Sequence, residues 1–267
     1  MIIDFHTHVF PDKIAGRTIE HLAKKADIIP YSDGTIAGLK ERIREALVDI
    51  AVTLPVLTAP EQFDSVLRFA KGINREEYAD GARLISFAGI HPRCEDIAGK
   101  MREIKEAGFL GVKIHPDYQD AYIDDEGYLE ILRQAKALDL TVVAHAGVDM
   151  AFPEVHCTPE RALKLIEAVP GAKLVLAHMG ANEMEDEVLS TLAGKDVYFD
   201  TAYVLRYIDK DAFLAILEKH GADKILFATD SPWSDIKGDV EILRSYGLDK
   251  ETENKIFFEN AKKLLNL

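Results

Sequence analysis

The chain is 267 residues long, 48% hydrophobic and 29% charged, which suits one large buried core and excludes disordered and fibrous classes. Forty-six acidic against 32 basic residues give a formal net charge of −14. A field of that sign repels nucleic-acid backbones and anionic membrane surfaces, leaving a small molecule as the expected partner.

Two cysteines, Cys94 and Cys157, make no disulfide framework. No apolar run is long enough to span a bilayer, and the opening MIIDFHTH has no basic segment followed by an apolar stretch. The expectation is a cytoplasmic protein.

Eight short apolar runs follow in chain order, at residues 2–5, 50–54, 84–88, 110–114, 140–144, 174–177, 197–199 and 225–228. Several are rich in Val, Ile and Phe, as strands buried on both faces are. The stretches between them carry helix punctuation. Gly108 follows the segment 97–107, Asp125 precedes the helix containing Tyr128, Ile131 and Leu132, Thr158-Pro159-Glu160 opens another helix, and Gly221 follows 213–220. The connection over residues 12–38 is long and is expected to hold a helix around His21 and Leu22 and a loop. The segment 251–267 reads as a closing helix with Ile256, Phe257, Ala261 and Leu264 on its apolar face. Strand–helix alternation repeated eight times points to a single-domain (β/α)₈ TIM-like barrel over residues 1–267. An open doubly wound sheet would lead from its first strand into a Gly-rich phosphate loop; here that strand leads into His-Thr-His.

Seven of the nine histidines (His6, His8, His91, His115, His145, His156 and His178) fall at or beyond the carboxyl ends of these runs. That is the end where barrel enzymes place their chemistry. His6 and His8 are two apart and share one strand face, so both imidazoles can reach one point. His145 ends VVAHAG and stands as a third metal ligand; His178 ends LVLAHMG in a matching context. Asp230 ends ILFATDSPW, where a buried carboxylate is costly unless paired or metal-bound. It is the fourth candidate ligand and a candidate proton acceptor. Lys113 and His115 share a strand face and are candidates to line the pocket. His91 and His115 each precede a proline, so a structural turn is an equal reading for both. Arg93, His156, Tyr203 and Trp233 are candidates for substrate contact from loops, against ordinary loop packing. Asp4 and Asp200 are candidate hydrogen-bond partners of the ligand histidines.

Taken in order, DFHTH, GVKIHP, VVAHAG, HCTPE, LVLAHMG and FATDSPW resemble the amidohydrolase superfamily. The likeness is to the amidohydrolase-related branch, which includes aminocarboxymuconate semialdehyde decarboxylase, and it covers nearly the whole chain. It implies a distorted barrel and one divalent metal, usually zinc, with iron, manganese and cobalt suiting the same donors. It carries the ligand roles onto His6, His8, His145 and Asp230 and gives His178 an acid, base or polarising role. It also suggests a homodimer. The glutamate of the two-metal TatD-like hydrolases is missing at the end of the fourth run, where Lys113 and His115 stand.

The leading expectation is metal-dependent hydrolysis of a small amide, ester or lactone by activated water, with Asp230 and His178 as catalytic groups. The second is a non-oxidative decarboxylase or hydratase of an aromatic or unsaturated acid, its acid group gripped by Arg93 or Arg206. The third is a metal-binding barrel without turnover.

Overall fold

The structure is a computed structural model and describes residues 1–75 and 83–267. Its strands are β1 (Ile3–Thr7), β2 (Ile50–Thr53), β3 (Arg83–Ser86), β4 (Ala88–Gly89), β5 (Gly111–Ile114), β6 (Thr141–Ala144), β7 (Leu174–Leu176), β8 (Tyr198–Asp200) and β9 (Ile225–Leu226). They pair in chain order in two sheets, β1-β2-β3 and β4 through β9, and every pairing is parallel. Phe87 separates β3 from β4 and donates its N–H to Thr53 O at 3.0 Å, so the two segments form one interrupted stave. The ring closes between β9 and β1. Phe5 N–H donates to Phe227 O (2.9 Å) and Asp230 N–H to His6 O (2.8 Å), and Thr7 bridges Ser231. The result is eight staves in a closed cylinder with helices outside, the (β/α)₈ architecture read from the alternation.

Side-chain alternation sorts the apolar residues into two cores. Val142, Ala144, Leu174 and Leu176 pack outward with helix residues such as Leu39, Leu67 and Ile104. Val143 and Val175, between them in sequence, pack inward with Phe5, Val52 and Phe87. Ala261, Leu264 and Leu265 of the last helix, Asn260–Leu265, join the inner cluster. The expected closing helix is therefore present but divided, running as Lys250–Asn254, a wider turn over Lys255–Glu259, then Asn260–Leu265.

The helix punctuation is largely literal. Thr158 Oγ1 accepts from Arg161 N–H with Pro159 in the first turn. Gly108 and Gly221 take positive φ at helix ends. Asp125 holds the cap position, but its side chain accepts from Tyr122 N–H instead of from the helix. The long connection after β1 forms the helix Asp12–Ala26, and Thr18, Leu22, Ala26 and Ile28 reach the wall of a cavity at the barrel mouth.

Candidate metal centre

His6 lies in β1, and its Nδ1–H donates to Asp200 Oδ2 at 2.9 Å, at the end of β8. His8 Nδ1–H donates to Leu54 O at 2.8 Å. Both contacts fix the ring proton on Nδ1 and leave the Nε2 lone pairs free. Those two Nε2 atoms are 3.1 Å apart and face Asp230 Oδ1 at 3.3 and 3.0 Å. Three acceptor atoms thus converge where no proton remains between them, an arrangement that a cation resolves. The structure supplies a partial stand-in, since Lys113 Nζ lies 3.1 Å from His6 Nε2. Donor chemistry and spacing fit a divalent ion on His6, His8 and Asp230, one ligand atom from each lying within 4.8 Å of the others.

Electrostatics agree with a site built for positive charge. Burial opposes ionisation of Asp230, yet positive charge at His6, His8 and His178 brings its carboxyl down to about 2; with the rings neutral, a bound cation is what would supply that charge. Burial pushes Lys113 down to about 8, against the pull of Asp200 and Asp230. Burial, reinforced by Lys113, holds the His6 imidazolium well below its ordinary range, so the ring is neutral and able to ligate. Burial pushes Asp200 up, countered by His178, by Lys113 and by N–H groups of His178 and Ala202.

His145 and His178 complete this end of the barrel. His178 Nε2 lies 2.9 Å from His145 Nδ1, while His178 Nδ1–H donates to Ala202 O at 2.9 Å. His178 also donates its backbone N–H to Asp200 Oδ1, so one buried carboxylate positions both His6 and His178. His178 and Asp230 have φ of 61° and 65°, a strained region for residues with a Cβ and one that collects at functional sites. The His145 ring stacks on His115 with centroids 4.1 Å apart and planes 8° from parallel. His115, His145 and Asp149 form a second group with donor atoms within 4.8 Å of one another. His145 Nε2 has no hydrogen-bond partner and lies 3.7 Å from Asp117 Oδ2.

The structure therefore brings His6, His8 and Asp230 onto one spot and sets His145 beside His178, one ring further along the wall. Lys113, His115, His178, Tyr203 and Trp233 all line the same cavity, of ≈ 240 Å³. His91, Arg93 and His156 do not line it. His91 Nδ1 accepts from Arg93 N–H in a turn. Arg93 reaches outward to Asp120. His156 is held by Asp117 Oδ1 through both its ring (3.0 Å) and its backbone N–H (3.1 Å). Arg206, the other expected acid grip, is bound to Ser234, Asp235 and Asp239, also outside the cavity. Both expected partners hold His6: Asp200 takes the ring Nδ1–H, and Asp4 accepts the His6 backbone N–H at 3.2 Å while bonding Thr229 through its hydroxyl (2.6 Å) and backbone. Asp117 and Asp149 escaped the sequence reading. The signal available for Asp149 was an acid four residues after a strand-end histidine.

Comparison with known proteins places these features in context. The profile described as amidohydrolase matches residues 3–267. No curated protein matches the chain. Among solved structures, a TIM-barrel protein of Bordetella bronchiseptica superposes with a TM-score of 0.75 at 17% identity, covering 99% of this chain and 98% of that one. A dihydroxybenzoic acid decarboxylase from a Polaromonas species, with bound manganese and an inhibitor, gives 0.71 at 18%, covering 100% and 97%. A probable 2-pyrone-4,6-dicarboxylic acid hydrolase from Acinetobacter baumannii gives 0.68 at 17%, covering 100% and 99%. At such identities the likeness establishes the shared fold.

Proposed function

The chain belongs to the amidohydrolase family, and from that premise we propose that it is a metal-dependent hydrolase of a small amide, ester or lactone. The observation that carries this is the convergence of His6 Nε2, His8 Nε2 and Asp230 Oδ1 on one spot with their other hydrogen bonds already made. His6, His8 and Asp230 would hold the ion, with His145 as the fourth ligand implied by the family resemblance. A divalent cation held there supplies Lewis acidity and makes water a competent nucleophile near neutral pH.

The remaining chemistry falls to the protein. Asp230, ionised with its carboxyl at about 2, accepts the proton of the attacking water through its free oxygen and returns it to the leaving group. His178, with Nδ1–H committed to Ala202 O, accepts from His145 Nδ1 through Nε2 at 2.9 Å, so its part is to hold the His145 ring and to take up a proton through it. The apolar walls exclude bulk water and strengthen both interactions. Zinc suits the donor set, and manganese, found with the Polaromonas decarboxylase, suits it as well.

Decarboxylation of an aromatic acid is the competing reaction, since similar structures carry that activity. The pocket argues for hydrolysis, because among the described residues no arginine lines it to grip an acid group. The test is a panel of esters, lactones and amides beside a panel of aromatic acids, with protein loaded in turn with zinc and manganese. Hydrolysis that falls at least about 100-fold in His178→Ala supports the proposal. CO₂ release without hydrolysis replaces it with the decarboxylase, and bound metal with neither reaction replaces it with a non-catalytic metal-binding barrel.

A further inference from the structure

The cavity wall beyond the histidines carries a carboxylate, Asp149, that no lysine or arginine among the described residues pairs with. Asp149 follows β6 by a short loop; its Oδ1 accepts from Ala151 N–H at 2.8 Å and its Oδ2 faces His115 Nε2 at 3.5 Å. His115 Nδ1 accepts from Tyr118 N–H at 3.4 Å, which leaves the ring a single proton, on Nε2, and no charge. Among the described residues no lysine or arginine forms an ion pair with Asp149. Lys25, on the rim helix, is turned onto the Phe152 ring at 3.5 Å. Among the described residues Lys113 is the single lysine or arginine lining the cavity; it sits at His6, 3.1 Å from Nε2, and forms no ion pair with Asp149.

The same lining includes the apolar or aromatic Tyr118, Val148, Met150 and Trp233 beside the uncharged polar groups of His115, His145 and Asn182. Burial raises the Asp149 carboxyl, and Asp117 and Asp230 add to that effect. A carboxylate in such a wall costs stability unless its ligand brings the compensating charge or donors. The structure has already provided for Asp230, which faces the metal ligands; Asp149 is left over.

We propose that Asp149 is the specificity-determining anchor of this cavity, pairing with an ammonium, amidinium or guanidinium group on an apolar or aromatic substrate. Substrates that place a carboxylate there are rejected by like charge. The inference rests on reading the cavity as the substrate pocket and narrows the proposed hydrolase to cationic amides, esters or lactones. A second metal ion on His115, His145 and Asp149 is the rival occupant. Ring geometry disfavours it. An imidazole lone pair lies in the plane of its ring, and the His115 and His145 planes run nearly parallel, 8° apart in a face-to-face stack. Parallel planes share no point, so one ion cannot sit in line with both lone pairs.

The experiment is calorimetric binding of three near-isosteric probes, benzamidine, benzamide and benzoate, to metal-loaded protein. Benzamidine is expected to bind at least tenfold more tightly than either of the others. Asp149→Asn should abolish that preference while metal content and melting temperature stay at wild-type values. The proposal is overturned if benzoate binds as well as benzamidine, if benzamidine fails to bind at millimolar concentration, or if the preference survives in the variant. Loss of one metal equivalent in Asp149→Asn would assign the site to a second ion instead. The wild-type ranking needs no variant to fold and is read without turnover. Failure of the hydrolase reading would show separately, as wild-type protein that binds no metal or hydrolyses nothing.

Discussion

Replacing Asp200 with asparagine should loosen the metal without touching a ligand. Asp200 is fully buried. Its Oδ1 accepts two backbone N–H groups, from His178 (2.9 Å) and Ala202 (3.1 Å), and its Oδ2 accepts His6 Nδ1–H at 2.9 Å. An asparagine has one acceptor oxygen for these two roles. If that oxygen keeps the backbone pair, the amide NH₂ faces His6 Nδ1 and forces the ring proton to Nε2, the atom that should ligate. If it turns to His6, the NH₂ confronts two N–H donors. Either arrangement removes a ligand or strands buried donors. The expected weakening is about 10- to 100-fold in metal affinity, or about 1.4–2.7 kcal/mol. Competition against a chelator of known affinity reads it directly, with zinc and with manganese. An unchanged dissociation constant, with the variant folded, would refute the claim that Asp200 sets the His6 tautomer.

Two further outcomes follow from packing and burial. Gly147→Ala puts a Cβ 2.1 Å from Asn182 N and 2.4 Å from Asn182 O, at φ +82°. Backbone on both sides cannot yield, so a loss of at least about 2–3 kcal/mol is expected, roughly 5–10 °C in melting temperature. A shift under about 2 °C would contradict the close approach of these two loops. His220 stacks on Phe199 with centroids 3.9 Å apart, and burial pushes its pKa down to about 4. Its folded value lies below its unfolded one, so its contribution is complete above pH of about 6.5 and is lost as pH falls toward about 4. The loss should reach on the order of 2–3 kcal/mol. His220→Phe should flatten that limb of the pH–stability curve in chemical denaturation; an unaltered slope would show that this ring is not responsible.

The barrel was legible because its evidence is local and repeated. Each apolar run had to be buried on both faces, and the outward packing of Val142 and Ala144 and inward packing of Val143 record that. The gathering of His6 and His8 was legible for the same reason, since period-two alternation needs no knowledge of the rest of the chain. Asp230 could be singled out by the cost of a carboxylate after an apolar strand, and the barrel closure hydrogen bond from its N–H to His6 O delivers it to them. What sequence could not convey was how side chains share partners across staves. The pairing of Asp117 with His156 joins two loops 39 residues apart. Arg206 looked like a free cation for a substrate acid, yet Asp235 and Asp239, themselves unremarkable in sequence, claim it first. Asp149 follows the strand-end His145 by four residues, but its place on the cavity wall depends on the loop after β6, which no local periodicity reports.

Metal content by mass spectrometry, combined with anomalous scattering from crystals of the same preparation, bears most directly on the central claim. The expected result is one divalent ion per chain, located between His6 Nε2, His8 Nε2 and Asp230 and lost in His6→Ala. Wild-type protein that stays empty in excess zinc and manganese, or an ion found only away from those three side chains, would contradict it.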